Sequence, residues 1–173
     1  RRRPCLPAGA RGRTGPRPRW EAGGANFVTD VTAYETAKLR MRNGAHSALA
    51  YLGLEHGYRF VHEAIVDPSI RPLVERLMRE EAAPSLTPAD GQDLTAYADA
   101  LLARFANPTL SHRLMQIAMD GSQKIPQRWL PTLRIHQQAG RQCPAILAAL
   151  AVWIVHVLGD RRAVDDSAAA ELM

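Results

Sequence analysis

Lysine is almost missing from this sequence. Of its 22 basic side chains only Lys38 and Lys124 are lysine, and the other twenty are arginine. Cysteine is as scarce, with Cys5 and Cys143 alone. Two cysteines so far apart give no disulfide framework, and without a C-x-x-C pair they give no zinc site. Their scarcity favours a reducing, cytoplasmic setting. No apolar stretch of the kind found in a secretory leader follows the charged start. Within the longest uncharged run, Gln142 to Gly159, the apolar stretch Cys143 to Leu158 has sixteen residues and contains Pro144 and His156. A membrane span needs about 20 apolar residues, so this run is expected to be a buried core helix, with no membrane partner. Strand-like alternation, a fixed-period repeat and a glycine-rich strand–turn–helix for a dinucleotide are all missing.

Charge is present but unevenly placed. The formal net charge is +5, yet residues 1–20 hold seven arginines and no acid. The rest of the chain carries 15 basic and 17 acidic side chains, a net charge of −2. A basic surface on the folded part is therefore excluded, and no nucleic-acid partner is expected. Residues 1–19 contain four of the twelve prolines and no apolar periodicity. They are expected to form a disordered basic tail. Apolar residues make up 46% of the chain, enough for one buried core over residues 20–160, with 161–173 as a frayed end.

Helical periodicity fills the expected domain. Thr32 and Glu35 have capping-box spacing, which predicts a helix from there to about Tyr51, broken by Gly53 and Gly57. A short helix is predicted over Tyr58–Val66. Asp67-Pro68 reads as a cap for a helix to Glu81, on which Ile70, Leu73, Val74, Leu77 and Met78 share one face. Asp93 can cap a helix to Phe105. Asn107-Pro108 repeats the cap signal for a helix from Leu110 to Ala118, closed by Asp120-Gly121. Pro126 is expected to open the next helix, Pro131 to kink it before Gly140, and a last helix to span Pro144–Leu158. The predicted fold is all-α, with six or seven helices.

The two retained lysines stand out because arginine stays protonated, whereas a desolvated lysine can lose its proton near neutral pH and act as general acid or base. Chance survival in an arginine-biased chain would leave the same count. The neighbours of Lys38 add to the pattern. At about 100° per residue, Lys38, Asn43 and His46 lie at roughly 0°, 140° and 80°, over about 12 Å of one helix. A polyhydroxylated molecule along that side could meet all three. Lys38 would take a carbinol proton, Asn43 would donate to a developing alkoxide, and His46 would orient an oxygen. His56, His62 and Glu63 have neither i+3 nor i+4 histidine spacing, so no metal is expected there.

The stretch YETAKLRMRNGAHSALAYLG (Tyr34–Gly53) resembles the signature of the mannitol dehydrogenase family of long-chain polyol and uronate dehydrogenases. FANPTLSHRLMQIAMDGSQKIPQR (Phe105–Arg128) resembles a second block of the same family, in wording nearest the fructuronate (mannonate) branch. RPRWEAGGANFVTDV (Arg17–Val31) fits the approach to the first block, so the likeness covers roughly residues 17–158.

The resemblance implies an NAD-dependent oxidoreductase of sugar alcohols or aldonates and their ketoses or ketouronates, without a catalytic metal. It makes Lys38 the general acid/base. Asn43 becomes one of two asparagines that polarise the substrate oxygen, and His46 the histidine that orients the substrate. Lys124 would meet the substrate's far end, where a cation suits a carboxylate. Gln116 stands where some relatives carry an arginine of the substrate site. Thr36, Arg42 and Ala45 also depart from the commoner wording. The family joins a Rossmann-type NAD domain to a helical substrate domain, and this sequence matches the second only. The expectation is therefore a truncated substrate domain, partnered by a small-molecule polyol or uronate and by a missing Rossmann domain, and inactive alone. The alternative is an inactive helical remnant or interaction fragment.

Overall fold

The computed structural model describes residues 6–7, 18–23, 27–28, 30–159 and 164–168. It is all-α, as predicted. Among the described residues, β structure is limited to a two-residue parallel pairing of β1 (Leu6–Pro7) with β2 (Phe27–Val28) and a bridge between Phe60 and Arg113. Most of the predicted basic tail lies outside the described residues.

One helical rod runs over 32–55. It comprises α1 (Thr32–Ala37), a π-helical turn (Lys38–Asn43) and α2 (Gly44–Glu55). The expected capping box is not its start. Asp30 Oδ1 accepts the Thr32 N–H at 2.8 Å, while Thr36 Oγ1 donates back to the Thr32 carbonyl. Nor does Gly53 break the rod. A Cβ there would lie 2.6 Å from Leu114 Cδ1 and 2.8 Å from Ala64 Cβ, so the missing side chain lets two later helices close onto α2. The stop is Gly57, whose φ of +83° suits glycine.

The later boundaries follow local polar contacts. In α3 (Val61–Ala64), Glu63 Oε2 accepts from the backbone N–H groups of Arg59 and Phe60, each at 2.9 Å. Asp67 Oδ1 accepts from Ser69 and Ile70, holding a turn, so α4 (Arg71–Arg76) starts later than Asp67-Pro68 suggests. It continues through a π turn (Leu77–Ala82) into a 3-10 turn (Ala83–Ser85). Asp93 caps α5 (Leu94–Phe105) through Ala96 N–H at 2.8 Å, as expected. Asn107 instead closes a local turn through Thr109 N–H, and α6 (Leu114–Ala118) is correspondingly short. The next helix, α7 (Gly121–Arg128), opens at Gly121 after Asp120 in the left-handed region, so Pro126 lies inside it. The break falls at Trp129, and Pro131 sits in the first turn of α8 (Leu130–Gln138) without kinking it.

Packing is organised around α2. Nearly every residue from Gly44 to Leu54 is buried, as expected of a helix that is apolar all round. Helices α3, α6, α7 and α9 (Pro144–Leu158) lie against it. The last helix is only half the core element expected. Ala145, Ile146, Ala149 and Val157 are buried, whereas Leu147, Ile154, Val155 and Leu158 are exposed. No helix among the described residues is long and apolar enough to cross a membrane. The start of α9 is capped from a distance. Glu81, 2% exposed, accepts from the Ala145 and Ile146 N–H groups at 2.7 and 2.8 Å. His136 Nε2 donates to the Glu81 carbonyl at 2.8 Å. Of the expected frayed end, residues 164–168 return to α7, where Asp166 accepts the Ser122 N–H at 2.7 Å and Asp165 O accepts the Asp120 N–H at 2.8 Å.

Candidate functional site

The rod over 32–55 carries three of the predicted site residues, and its π turn changes their arrangement. In that turn backbone N–H groups reach carbonyls five residues back, as Gly44 N–H does to Leu39 O. The wider turn brings residue i+5 much closer to the direction of residue i than the about 140° of an α-helix. Lys38 and Asn43, the two ends of the π turn, therefore share a face more closely than α-geometry predicts.

Lys38 is exposed. The desolvation that the lysine argument looked for falls on the other lysine. Burial, then the Arg128 charge, push Lys124 below the ordinary lysine range. Its ammonium donates to the carbonyls of Met119 and of Ile117, the latter at 3.3 Å, closing the free end of α6.

His46 is half-buried against the Phe105 ring, with centroids 4.7 Å apart, and its centroid lies 6.0 Å from that of His112. Burial first, then Arg42, His112, Arg128 and Arg104, push its pKa down to about 4. At neutral pH the ring is neutral, so one nitrogen donates and the other accepts. That suits holding a hydroxyl.

Helix α7, which carries Lys124, packs beside the π turn. Arg128, one turn after Lys124, donates from Nη1 to Ser47 Oγ at 2.7 Å and to the Asn43 carbonyl at 3.3 Å. Trp129, fully buried, donates from Nε1 to the Gly44 carbonyl at 3.2 Å. Sequence reasoning missed Arg128, Ser47, Trp129 and His112. The i, i+4 spacing of Lys124 and Arg128 was the one available signal. Gln116 is exposed on α6 beside exposed Met115, apart from this bonded cluster.

The histidine pair dismissed as a metal site is otherwise engaged. His56 Nδ1 donates to Leu52 O at 2.9 Å, His62 stacks on Phe60, and Glu63 caps α3. Among the described residues no group of three His, Cys, Asp or Glu side chains could hold a metal ion.

These features define a helical domain that presents lysine, asparagine and a neutral histidine from one rod, with a second lysine on a neighbouring helix. The profile of the mannitol dehydrogenase C-terminal domain matches residues 30–170, and the chain belongs to that family. It is 47% identical over 143 residues to the D-mannonate oxidoreductase of Escherichia coli K12, covering 83% of this chain and 29% of that protein. It is 50% identical over 153 residues to the uncharacterized oxidoreductase YeiQ of the same organism, covering 87% and 30%. The structure superposes with a TM-score of 0.81 and 36% identity on Pseudomonas fluorescens mannitol 2-dehydrogenase, solved as a ternary complex with NAD and D-mannitol, covering 91% of this chain and 33% of that one. The chain thus spans about a third of the length of the relatives it matches.

Proposed function

We propose that this chain supplies the substrate-binding and proton-handling part of an NAD-dependent oxidoreductase that interconverts a sugar alcohol or aldonate with its ketose or ketouronate. The observation that carries the reading is the π-wound Lys38–Asn43 turn with neutral His46 just beyond it. His46 holds a substrate hydroxyl, and Asn43 donates to the oxygen on which charge develops. Lys38 Nζ accepts the carbinol proton in oxidation and returns it in reduction. The nicotinamide, when bound, supplies the hydride chemistry. Among the described residues no strand–turn–helix cradle is present to hold its phosphates, and the roles assigned here to Lys38, Asn43 and His46 are toward the sugar.

An acid-bearing sugar fits better than a neutral polyol. The groups that act on His46 are Arg42, Arg104, Arg128 and His112, with no carboxylate among them. A carboxylate end would be drawn to that field. Titrating the purified chain with D-mannonate and with D-mannitol, while following the His46 ring by NMR, tests this. D-mannonate is expected to shift the His46 signals at a concentration at least about tenfold below that needed for D-mannitol. Equal or reversed preference would contradict the substrate class, and no response to either sugar would contradict the site.

A second reading, a helical domain without dehydrogenase activity that docks on another protein, is favoured by the exposed stripe of Leu147, Ile154, Val155 and Leu158 on α9.

A further inference from the structure

The π turn carries Lys38 and Asn43 at its ends, and the winding returns to α at Asn43–Gly44. Both carbonyls of that junction receive a side-chain donor from one neighbouring segment. Arg128 Nη1 donates to Asn43 O and Trp129 Nε1 to Gly44 O, at 3.3 and 3.2 Å. The same Arg128 nitrogen is anchored at 2.7 Å to Ser47 Oγ, itself 1% exposed. The Arg128–Trp129 segment packs directly against residue 44. A Cβ there would sit 3.4 Å from Trp129 Nε1 and 3.7 Å from the Arg128 carbonyl. A carbonyl has two lone pairs, so each can accept a side-chain donor in addition to a helical N–H. Side-chain donors inserted at a helical ladder are a known cause of local changes in winding. Two of them at one junction, one on a fully buried ring, fix where the π turn ends.

We infer that Arg128 and Trp129 are positioning residues that hold the π-to-α junction and thereby keep Lys38 and Asn43 on one face. The inference rests on the proposed function for the roles of Lys38 and Asn43, but not for the clamp itself. It also gives α7 a coupling role. Lys124 lies one turn before Arg128, so a ligand that displaces Lys124 from the Ile117 and Met119 carbonyls would pull on the helix that grips the π turn. Arg128 has an electrostatic consequence too. The charged or titratable groups acting on His46 are Arg42 from the π turn, Arg104 from α5, His112 ahead of α6 and Arg128 from α7.

Three variants of the whole chain test the inference. Trp129→Phe keeps a buried ring and removes the Nε1–H. Arg128→Met removes the donors and the charge, and Arg128→Lys restores the charge. The readings are amide hydrogen exchange over residues 38–45, the His46 titration by NMR, D-mannonate affinity and the thermal midpoint. Exchange over 38–45 is expected to quicken, and D-mannonate affinity to fall about tenfold, in R128M and W129F, with α5 exchange unchanged. The His46 midpoint is expected to rise from about 4 in R128M and to stay there in R128K. Wild-type exchange in folded R128M and W129F would overturn the clamp. Faster exchange with unchanged D-mannonate affinity would overturn the positioning role. Should R128M fail to fold, W129F and Ser47→Ala decide by the same readings. A wild-type chain that ignores D-mannonate would sink the proposed function, while exchange and the His46 titration would still decide the clamp.

Discussion

His46 is where burial and charge act on a single side chain in the same direction. Phe105 shields it, and Arg42, His112, Arg128 and Arg104 oppose its protonation, so its pKa falls to about 4. An unfolded histidine titrates near 6.5, so between about 6.5 and 4 the unfolded chain binds a proton that the folded chain refuses. Stability contributed by this residue is therefore complete above pH 6.5 and is lost as pH falls toward 4, by up to about 3 kcal/mol. Urea unfolding of wild type and His46→Gln at pH 7 and pH 4.5 reads this directly. The wild type is expected to lose more stability than the variant over that interval, and equal losses would contradict the shift. Composition pointed to the positions of Lys38 and Lys124 but not to their environments. The desolvated lysine is Lys124, whose ammonium is turned onto the Ile117 and Met119 carbonyls, whereas Lys38 is exposed. Such burial depends on segments distant in sequence.

Among the elements, the 32–55 rod and α9 depend most on partners far along the chain. The first turn of α9 presents N–H groups that its own sequence does not satisfy, since Cys143 provides no side-chain cap. Glu81, from the π turn over 77–82, accepts two of them from a buried position. Glu81→Ala is expected to lower the unfolding free energy by about 2–4 kcal/mol, because two buried N–H groups lose their acceptor. Glu81→Gln, which keeps one oxygen, should cost less. A loss under about 0.5 kcal/mol for the alanine variant in chemical denaturation would show that water replaces the carboxylate. The local signals were legible where the cap is local, as at Asp93 for α5. They failed at Asn107 and Asp67, whose carboxamide and carboxylate close turns of their own before a helix begins. They failed also at Gly53, which is dictated by the proximity of Leu114 and Ala64 rather than by backbone freedom. The π turns left no mark, because most of their residues are ordinary helix formers.

At the scale of the whole molecule, the all-α class was readable from periodicity, and the family from two blocks of wording, which together contain Lys38, Asn43, His46, Gln116 and Lys124. The residues that hold those side chains in place were not readable, since Arg128 reaches Ser47 across 81 positions of sequence. The family match covers residues 30–170, and the relatives extend well beyond the part that corresponds to this chain. The central claim is that the 32–55 rod handles the proton of a sugar hydroxyl. Its most direct test places residues 30–170 of this chain in exchange for the matching segment of the E. coli D-mannonate oxidoreductase, with and without Lys38→Ala. NADH oxidation by fructuronate is then followed. The account expects turnover with the native segment and a fall of at least about 100-fold with alanine at position 38, the scale of a lost general acid. Turnover that survives the loss of Lys38 would contradict it.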